Sequence, residues 1–315
     1  MIRLLRALRR GAGAGLRTAL WLLLIMLPVS FLVLVLRWTG VLGLVGDALS
    51  PWFRSIGLPG ASALVFLSSL LVNLYSGIAV MSELALSLRE MTIIALMCLI
   101  AHNFLVEIAV LGSTGSNPVR MVVLRLAGAL IAGLALSALL PVSLAEESVA
   151  FGIAATRDGE SIRFSEAVVQ WGRDSLLLIL RISAILLALM VCEALLQEFG
   201  VVRWLGKRLG PLMRLFGLPQ EAAFLWVVSN TLGLAYGAGV LRREVKEGRL
   251  GREHGDLLNH HIALSHSLLE DTLLFVALGV PALWITVPRL TLAAAAVWLR
   301  RAELSLRRRA GRPAG

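Results

Sequence analysis

Charge is scarce in this chain. Of its 315 residues only 16% are Asp, Glu, Lys or Arg, against about 25% in soluble domains. That deficit argues against a water-soluble enzyme. Aromatic residues make up 6%, too few for the interfacial girdles of an outer-membrane barrel. Two cysteines, Cys98 and Cys192, both lie in apolar runs, so no disulfide framework is implied. No HExxH or CxxC pattern is present, which argues against a tight zinc site. The glycine-rich stretch Gly112-Ser113-Thr114-Gly115-Ser116 lacks the lysine of a phosphate-binding loop. There is no GxSxG elbow, and no polar stretch is long enough to fold as a nucleotide-binding domain. The expectation is a protein that is not an enzyme and carries no cofactor.

Apolar residues supply what the charges do not. They make up 58% of the chain, and the mean hydropathy is +0.83. At about 20 residues per crossing this mass fills roughly six membrane helices. The expected fold class is therefore all-α integral membrane: about six transmembrane helices plus two re-entrant hairpins. The formal charge of +10 and the pI near 11.1 fit nucleic-acid binding in a soluble protein. In a membrane protein the same charge collects in cytoplasmic loops. Here Arg3, Arg6, Arg9 and Arg10 open the chain, and Arg300, Arg301, Arg307, Arg308 and Arg309 lie near its end. No aromatics interleave with them, so the expected partner is the lipid bilayer and not nucleic acid.

Apolar runs and breaks divide the chain. A basic interfacial segment, 1–18, precedes an apolar run at 19–36 that contains Pro28. No small-residue cleavage site follows that run, so an uncleaved first membrane helix is expected. Residues 38–56 read as a short surface helix. Residues 58–84 are too short for two crossings, and at their centre stand Asn73, Tyr75, Ser76 and Gly77. A re-entrant hairpin with its tip near Tyr75-Ser76-Gly77 fits. Runs at 91–111 and 121–140 follow, then an acidic loop at 141–165 with Glu146, Glu147, Asp158 and Glu160. The pattern then restarts, with runs at 175–196, 256–277 and 282–299. Between the first two lie a glycine-broken piece at 198–216 and a second hairpin-like segment at 218–241. The expected division is repeat 1 at 19–140, the exposed loop 141–165, repeat 2 at 166–300, and a basic tail at 301–315.

The repeat is visible at an offset of 160. Gly40, Gly46, Pro51, Gly57 and Pro59 match Gly200, Gly206, Pro211, Gly217 and Pro219, and Gly77 meets Gly237. Three crossings and a hairpin per half leave the halves inverted. Basic residues agree: 38–56 is nearly free of them, whereas 198–216 carries Arg203, Lys207, Arg208 and Arg214. Both termini are expected in the cytoplasm of a bacterial-type inner membrane.

Charged groups within hydrocarbon cost roughly 2.5–3.5 kcal/mol each, so Glu107, Arg181, Glu270 and Asp271 are expected to turn inward. The run after each hairpin carries a histidine and an acid: His102-Asn103 with Glu107, and His266 with Glu270-Asp271. Two registers relate them. One pairs His102 with His266 and Glu107 with Asp271. The other pairs Asn103 with His266 and Glu107 with Glu270. The second is preferred, because it sets each acid four residues beyond a polar partner on one helix face. On the second helix Asn259, His266 and Glu270 form one stripe and His260, Ser267 and Asp271 the next. Such a face serves either as an interhelical hydrogen-bond network or as a cavity wall. The hairpin tips, with Asn73, Tyr75, Ser76 and Gly77 in one half and Asn230, Tyr236, Gly237 and Gly239 in the other, offer unpaired backbone groups to a solute or ion.

This layout resembles the Gate, or nucleoside-recognition, domain family. The resemblance rests on the turns Gly57-Leu58-Pro59 and Gly217-Leu218-Pro219, the glycine-containing hairpins, His102-Asn103 with Glu107, and Ser265-His266-Ser267 with Glu270-Asp271. Spore maturation proteins A and B and the membrane part of ferrous-iron transport protein B belong to it. The resemblance implies two inverted Gate repeats around a midplane site and a permease for a small polar, nucleoside-like solute or an ion. The site residues would be Asn73, Tyr75, Ser76, Gly77, His102, Asn103, Glu107, Asn230, Tyr236, Gly237, Asn259, His266, Glu270 and Asp271. A divalent-metal permease and a non-transporting scaffold are the alternatives. A homo-oligomer, dimer or trimer, is expected by analogy, and histidine makes pH-dependent activity an expectation.

Overall fold

A computed structural model describes residues 2–145 and 163–310. Most of the acidic loop expected at 141–165, including its four acids, lies outside the described residues, as does the end of the basic tail. Among the described residues all regular structure is helical. The first half holds α1 (Ile2–Trp38), α2 (Val41–Arg54), α3 (Ser62–Leu71), α4 (Leu74–Ser82), α5 (Leu88–Ala101), α6 (Phe104–Ser113) and α7 (Pro118–Leu139). The second holds α8 (Phe164–Glu198), α9 (Val201–Arg208), α10 (Gly210–Leu215), α11 (Ala223–Thr231), α12 (Leu234–Lys246), α13 (Arg252–Ser265), α14 (Glu270–Ala277) and α15 (Ala282–Ala310). The basic N-terminal residues are not a separate segment but the first turns of α1.

The two halves match in order, with α2 corresponding to α9 and α10 together. Trp38 and Glu198 end α1 and α8, and left-handed Gly40 and Gly200 start α2 and α9. Leu74 and Leu234 start α4 and α12. Up to there the offset is 160, as the sequence pattern predicts. Beyond the hairpins it becomes 164: α5 starts at Leu88 and α13 at Arg252, and the left-handed Gly115 and Gly279 precede α7 and α15. The four extra residues lie in α12, which has 13 residues where α4 has 9. A register carried through at 160 therefore misaligns everything after the second hairpin.

The chain forms two compact units, each drawing on both halves. The first comprises the chain up to Phe104, Ala129–Leu195 and Glu270–Ile285. Its centre is α5, where Leu88 and every residue from Met91 to Ala101 is buried. A helix apolar on all sides belongs in a core, and a capping box of Ser87 and Glu90 starts it. α3 and α4 form a helical hairpin against it, and α1 packs on α4. α1 also approaches α8 closely. A Cβ on Gly11 would lie 2.6 Å from the Val191 Cα, and one on Gly15 would lie 2.9 Å from the Leu187 Cα. Small residues four apart let two helix backbones meet in this way.

The second unit comprises Leu105–Gly128, Leu196–Leu269 and Thr286–Gly315. Its core joins Leu218, Trp226, Leu241, Leu258, Ile262 and Val297. α13 is polar in composition yet buried: Asn259, His260 and His261 are all at most 3% exposed. Among the described residues, four stretches are long and apolar enough to cross a membrane: Leu88–Ser113, Pro118–Leu139, Phe164–Glu198 and Ala282–Arg309. Met26–Leu36 and Ser62–Leu71 are apolar but shorter.

Candidate functional site

Both of the helices expected to run unbroken past a histidine are interrupted there. α5 stops at Ala101, His102 is extended, and Asn103 takes the left-handed conformation with φ 47° before α6 begins. α13 stops at Ser265, His266 is extended, and Ser267 has φ 52°. A left-handed residue with a side chain cannot continue a right-handed helix and is strained outside glycine. A hairpin supports each one. The Asn103 N–H donates to the Ser69 carbonyl at 2.9 Å, and the Ser267 N–H to the Ser229 carbonyl at 3.2 Å.

These breaks correct the preferred register. His102 corresponds to His266, Asn103 to Ser267, and Glu107 to Asp271. The argument for the other register assumed that a partner and the acid four residues on shared one helix face, and the break removes that face.

In the second unit the break holds a buried ionic cluster. Glu107 lies in the first turn of α6, where the helix dipole favours a carboxylate. Its Oε2 is 2.7 Å from Arg125 Nη1 and 3.1 Å from His266 Nε2. Arg289 donates from Nη2 to the His266 carbonyl at 2.7 Å and from Nε to the Leu264 carbonyl at 3.3 Å. It thereby caps the exposed carbonyl end of α13. Both arginines have 0% exposure.

His266 Nδ1 faces the Ile262 carbonyl at 2.9 Å, and a carbonyl only accepts. Nε2 faces a carboxylate. Both ring nitrogens therefore face acceptors.

The first unit repeats the arrangement with α14 supplying the acids. His102 Nδ1 lies 3.1 Å from the Cys98 carbonyl, and Nε2 lies 3.5 Å from Asp271 Oδ2. Beside it the Tyr75 hydroxyl donates to Glu270 at 2.9 Å, tying α4 to α14. Asn73 is the N-cap of α4: its Oδ1 accepts from the Ser76 N–H at 2.9 Å and from the Ser76 hydroxyl at 3.1 Å. Its side chain is thus used in holding the hairpin. Asn73→Ala should cost about 1 kcal/mol, measurable as a lowered midpoint of thermal unfolding in detergent.

The remaining expected residues are placed as follows. The space a side chain would need at Gly77 is filled by Ser69, and that at Gly237 by Ser229. Tyr236 is 58% exposed. Asn230 is buried; its Nδ2 donates to the Trp226 carbonyl at 2.9 Å, while its Oδ1 has no hydrogen-bond partner. Asn259 donates to the Thr114 hydroxyl at 2.8 Å and the Ser116 hydroxyl at 2.9 Å. Ser116 in turn donates to Asp256 at 2.6 Å, and Arg300 donates to Asp256 at 2.8 Å. In the second unit, then, Asn259 belongs to a polar network, while His266 belongs to the ionic cluster.

Sequence reading missed Arg125 and Arg289, the largest side chains buried without exposure. A signal for them existed. Each is the single charged residue of its apolar run, 121–140 and 282–299, and they stand 164 apart. Only the corrected offset reveals the pairing.

Comparison with known proteins gives one further result. The chain is 28% identical over 291 residues to the uncharacterized membrane protein YvoD of Bacillus subtilis (strain 168), an alignment covering 90% of each chain. No family model matches, and no solved structure matches. With its long apolar helices, the chain is a helical membrane protein.

Proposed function

We propose that this protein is a permease of a bacterial-type inner membrane. It would move a small polar solute, nucleoside-like by its resemblance to the Gate family, or an ion, with protons as the coupling species. One observation carries the reading: α5–α6 and α13–α14 break at matching histidines, and at each break a buried histidine faces a buried carboxylate. Irregular backbone at membrane depth is tolerated only where protein or water surrounds it. Buried ionisable groups there mark ion and proton paths, and matched broken helices mark the binding region of transporters built from repeats. The two hairpins are read as re-entrant.

Uptake into proteoliposomes tests this. The panel is nucleosides, divalent cations and organic ions, with and without an imposed pH gradient. Wild-type protein is expected to accumulate one class, and accumulation should fall to background when the gradient is collapsed. Asp271→Asn, which keeps the shape but removes the carboxylate facing His102, is expected to abolish uptake while the protein inserts and purifies normally. Wild-type uptake by this variant would refute the site. A wild-type protein that moves nothing in the panel, yet loses stability on the same substitution, would instead be a scaffold.

A further inference from the structure

A groove of about 730 Å³ lies in the second unit, along the start of α7 and the latter half of α15. It takes no part in the proton chemistry above. Its polar lining includes Arg120, Arg300, Glu303 and His260. Its rim is apolar and bare: Val119 is 71% exposed, Val123 60% and Leu299 72%. α7 and α15 are among the helices long and apolar enough to cross a membrane, which suits these exposed rim residues to acyl chains. A polar floor beneath an acyl-lined rim, at the arginine-rich end of a membrane helix, has the chemistry of a lipid headgroup site.

Charge and hydrogen bonding narrow the occupant. Arg120, Arg300 and Arg307 all pair with Glu303, and Arg300 also pairs with Asp256. Three cations against two carboxylates leave one positive charge, and each guanidinium carries five N–H donors, more than its carboxylates take up. His260 supplies the second requirement. It is 3% exposed, and its Nδ1 faces the Asp256 carbonyl at 2.7 Å. That nitrogen must carry the proton. Nε2 of the neutral ring is then an acceptor, and it is buried without a hydrogen-bond partner. The complementary ligand has one negative charge, a hydroxyl donor and acyl chains.

We infer that this groove binds a phospholipid of the phosphatidylglycerol type, its phosphate on Arg120 and Arg300 and a headgroup hydroxyl on His260. Phosphatidylcholine has no donor for His260 and no net charge. Phosphatidylethanolamine would set an ammonium beside the two arginines of the lining.

Full-length protein, purified in detergent and stripped of lipid, is the test material. It is offered phosphatidylglycerol, phosphatidylcholine, diacylglycerol or inorganic phosphate. Native mass spectrometry counts retained lipid, and thermal unfolding reads the effect on stability. Phosphatidylglycerol should be retained and should raise the unfolding midpoint, and the other three should not. Val123→Trp fills the groove from an exposed rim position. It should lose the retained lipid while its lipid-free midpoint stays at the wild-type value. Arg120→Gln should retain phosphatidylglycerol about tenfold less well, the size of one charge-assisted contact. Equal retention of phosphatidylcholine would overturn the assignment, as would full retention by Val123→Trp. An equal midpoint shift from inorganic phosphate would make the site one for a free anion and overturn the lipid.

Discussion

Arg125→Met is expected to lower stability by about 3–5 kcal/mol, the usual cost of leaving one member of a buried ion pair alone. Arg125 has 0% exposure, and its Nη1 is 2.7 Å from Glu107 Oε2. Methionine is close in length and apolar, so little packing is lost. What is lost is the cation beside a carboxylate that is 5% exposed. Glu107 keeps His266 at 3.1 Å, which compensates part of its charge. The discriminating result is the double variant. Arg125→Met with Glu107→Gln removes both charges together and should be more stable than Arg125→Met alone. Replacing both members of a buried pair is often near neutral. Unfolding in detergent, read for the wild type, both single variants and the double, gives the coupling directly. A double variant whose loss equals the sum of the two single losses would show that the pair is not coupled, and the ionic reading of the α13 break would fail. The cycle measures folding alone, so its outcome stands apart from transport.

Much of the fold was legible because membrane helices announce themselves by length and composition. The halves, the short helices α2 and α9, and both helical hairpins appear in the sequence as apolar runs punctuated by paired glycines and prolines. Gly40 with Gly200 and Gly57 with Gly217 are left-handed in pairs, which is why those glycines recur in register. The helix breaks were not legible. Leu88–Ser113 is apolar enough on average to read as one span, and the polar pair His102-Asn103 within it reads equally well as one turn of a polar helix face. The interruption at Asn103 depends on the Ser69 carbonyl, a partner 34 positions earlier that only the folded chain brings near. Glu107 and Asp271 were recognised from the cost of burying charge, and His102 and His266 from their place in the run after each hairpin. Of the two registers that relate them, the one set aside proved right, because the preferred one assumed an unbroken helix face that the breaks at Asn103 and Ser267 remove. Gly11 and Gly15 were read as part of a basic interfacial segment, since the arginines around them dominate its composition. Their spacing carried the close approach to α8 instead.

Gly77→Ala should destabilise the protein by about 1–3 kcal/mol, the typical cost of overpacking, even though alanine favours a helix by up to about 1 kcal/mol over glycine. Gly77 lies inside α4, so propensity alone predicts a gain. Space decides the sign. A Cβ there would stand 2.7 Å from the Ser69 Cβ and 3.2 Å from the Val65 carbonyl oxygen, neither of which is a flexible tip that can swing away. Gly237 in α12 is its counterpart, where a Cβ would meet the Ser229 Oγ first, with the Ser229 Cβ at 2.9 Å and its Cα at 3.0 Å. The same loss is expected for Gly237→Ala. Two further variants separate crowding from every other cause. Gly239 shares α12 with Gly237, and a Cβ there would meet nothing within 4 Å. Gly239→Ala should therefore raise the unfolding midpoint. Adding Ser69→Gly to Gly77→Ala removes the nearest clashing atom and should recover most of the loss. Because Ser69 also accepts the Asn103 N–H through its backbone carbonyl, that bond survives the rescue, and so does the break in the helix. If Gly77→Ala proves as stabilising as Gly239→Ala, the two arms of the hairpin are not in close contact. The hairpin could not then hold Ser69 where Asn103 needs it, and the support for the left-handed residue would be gone.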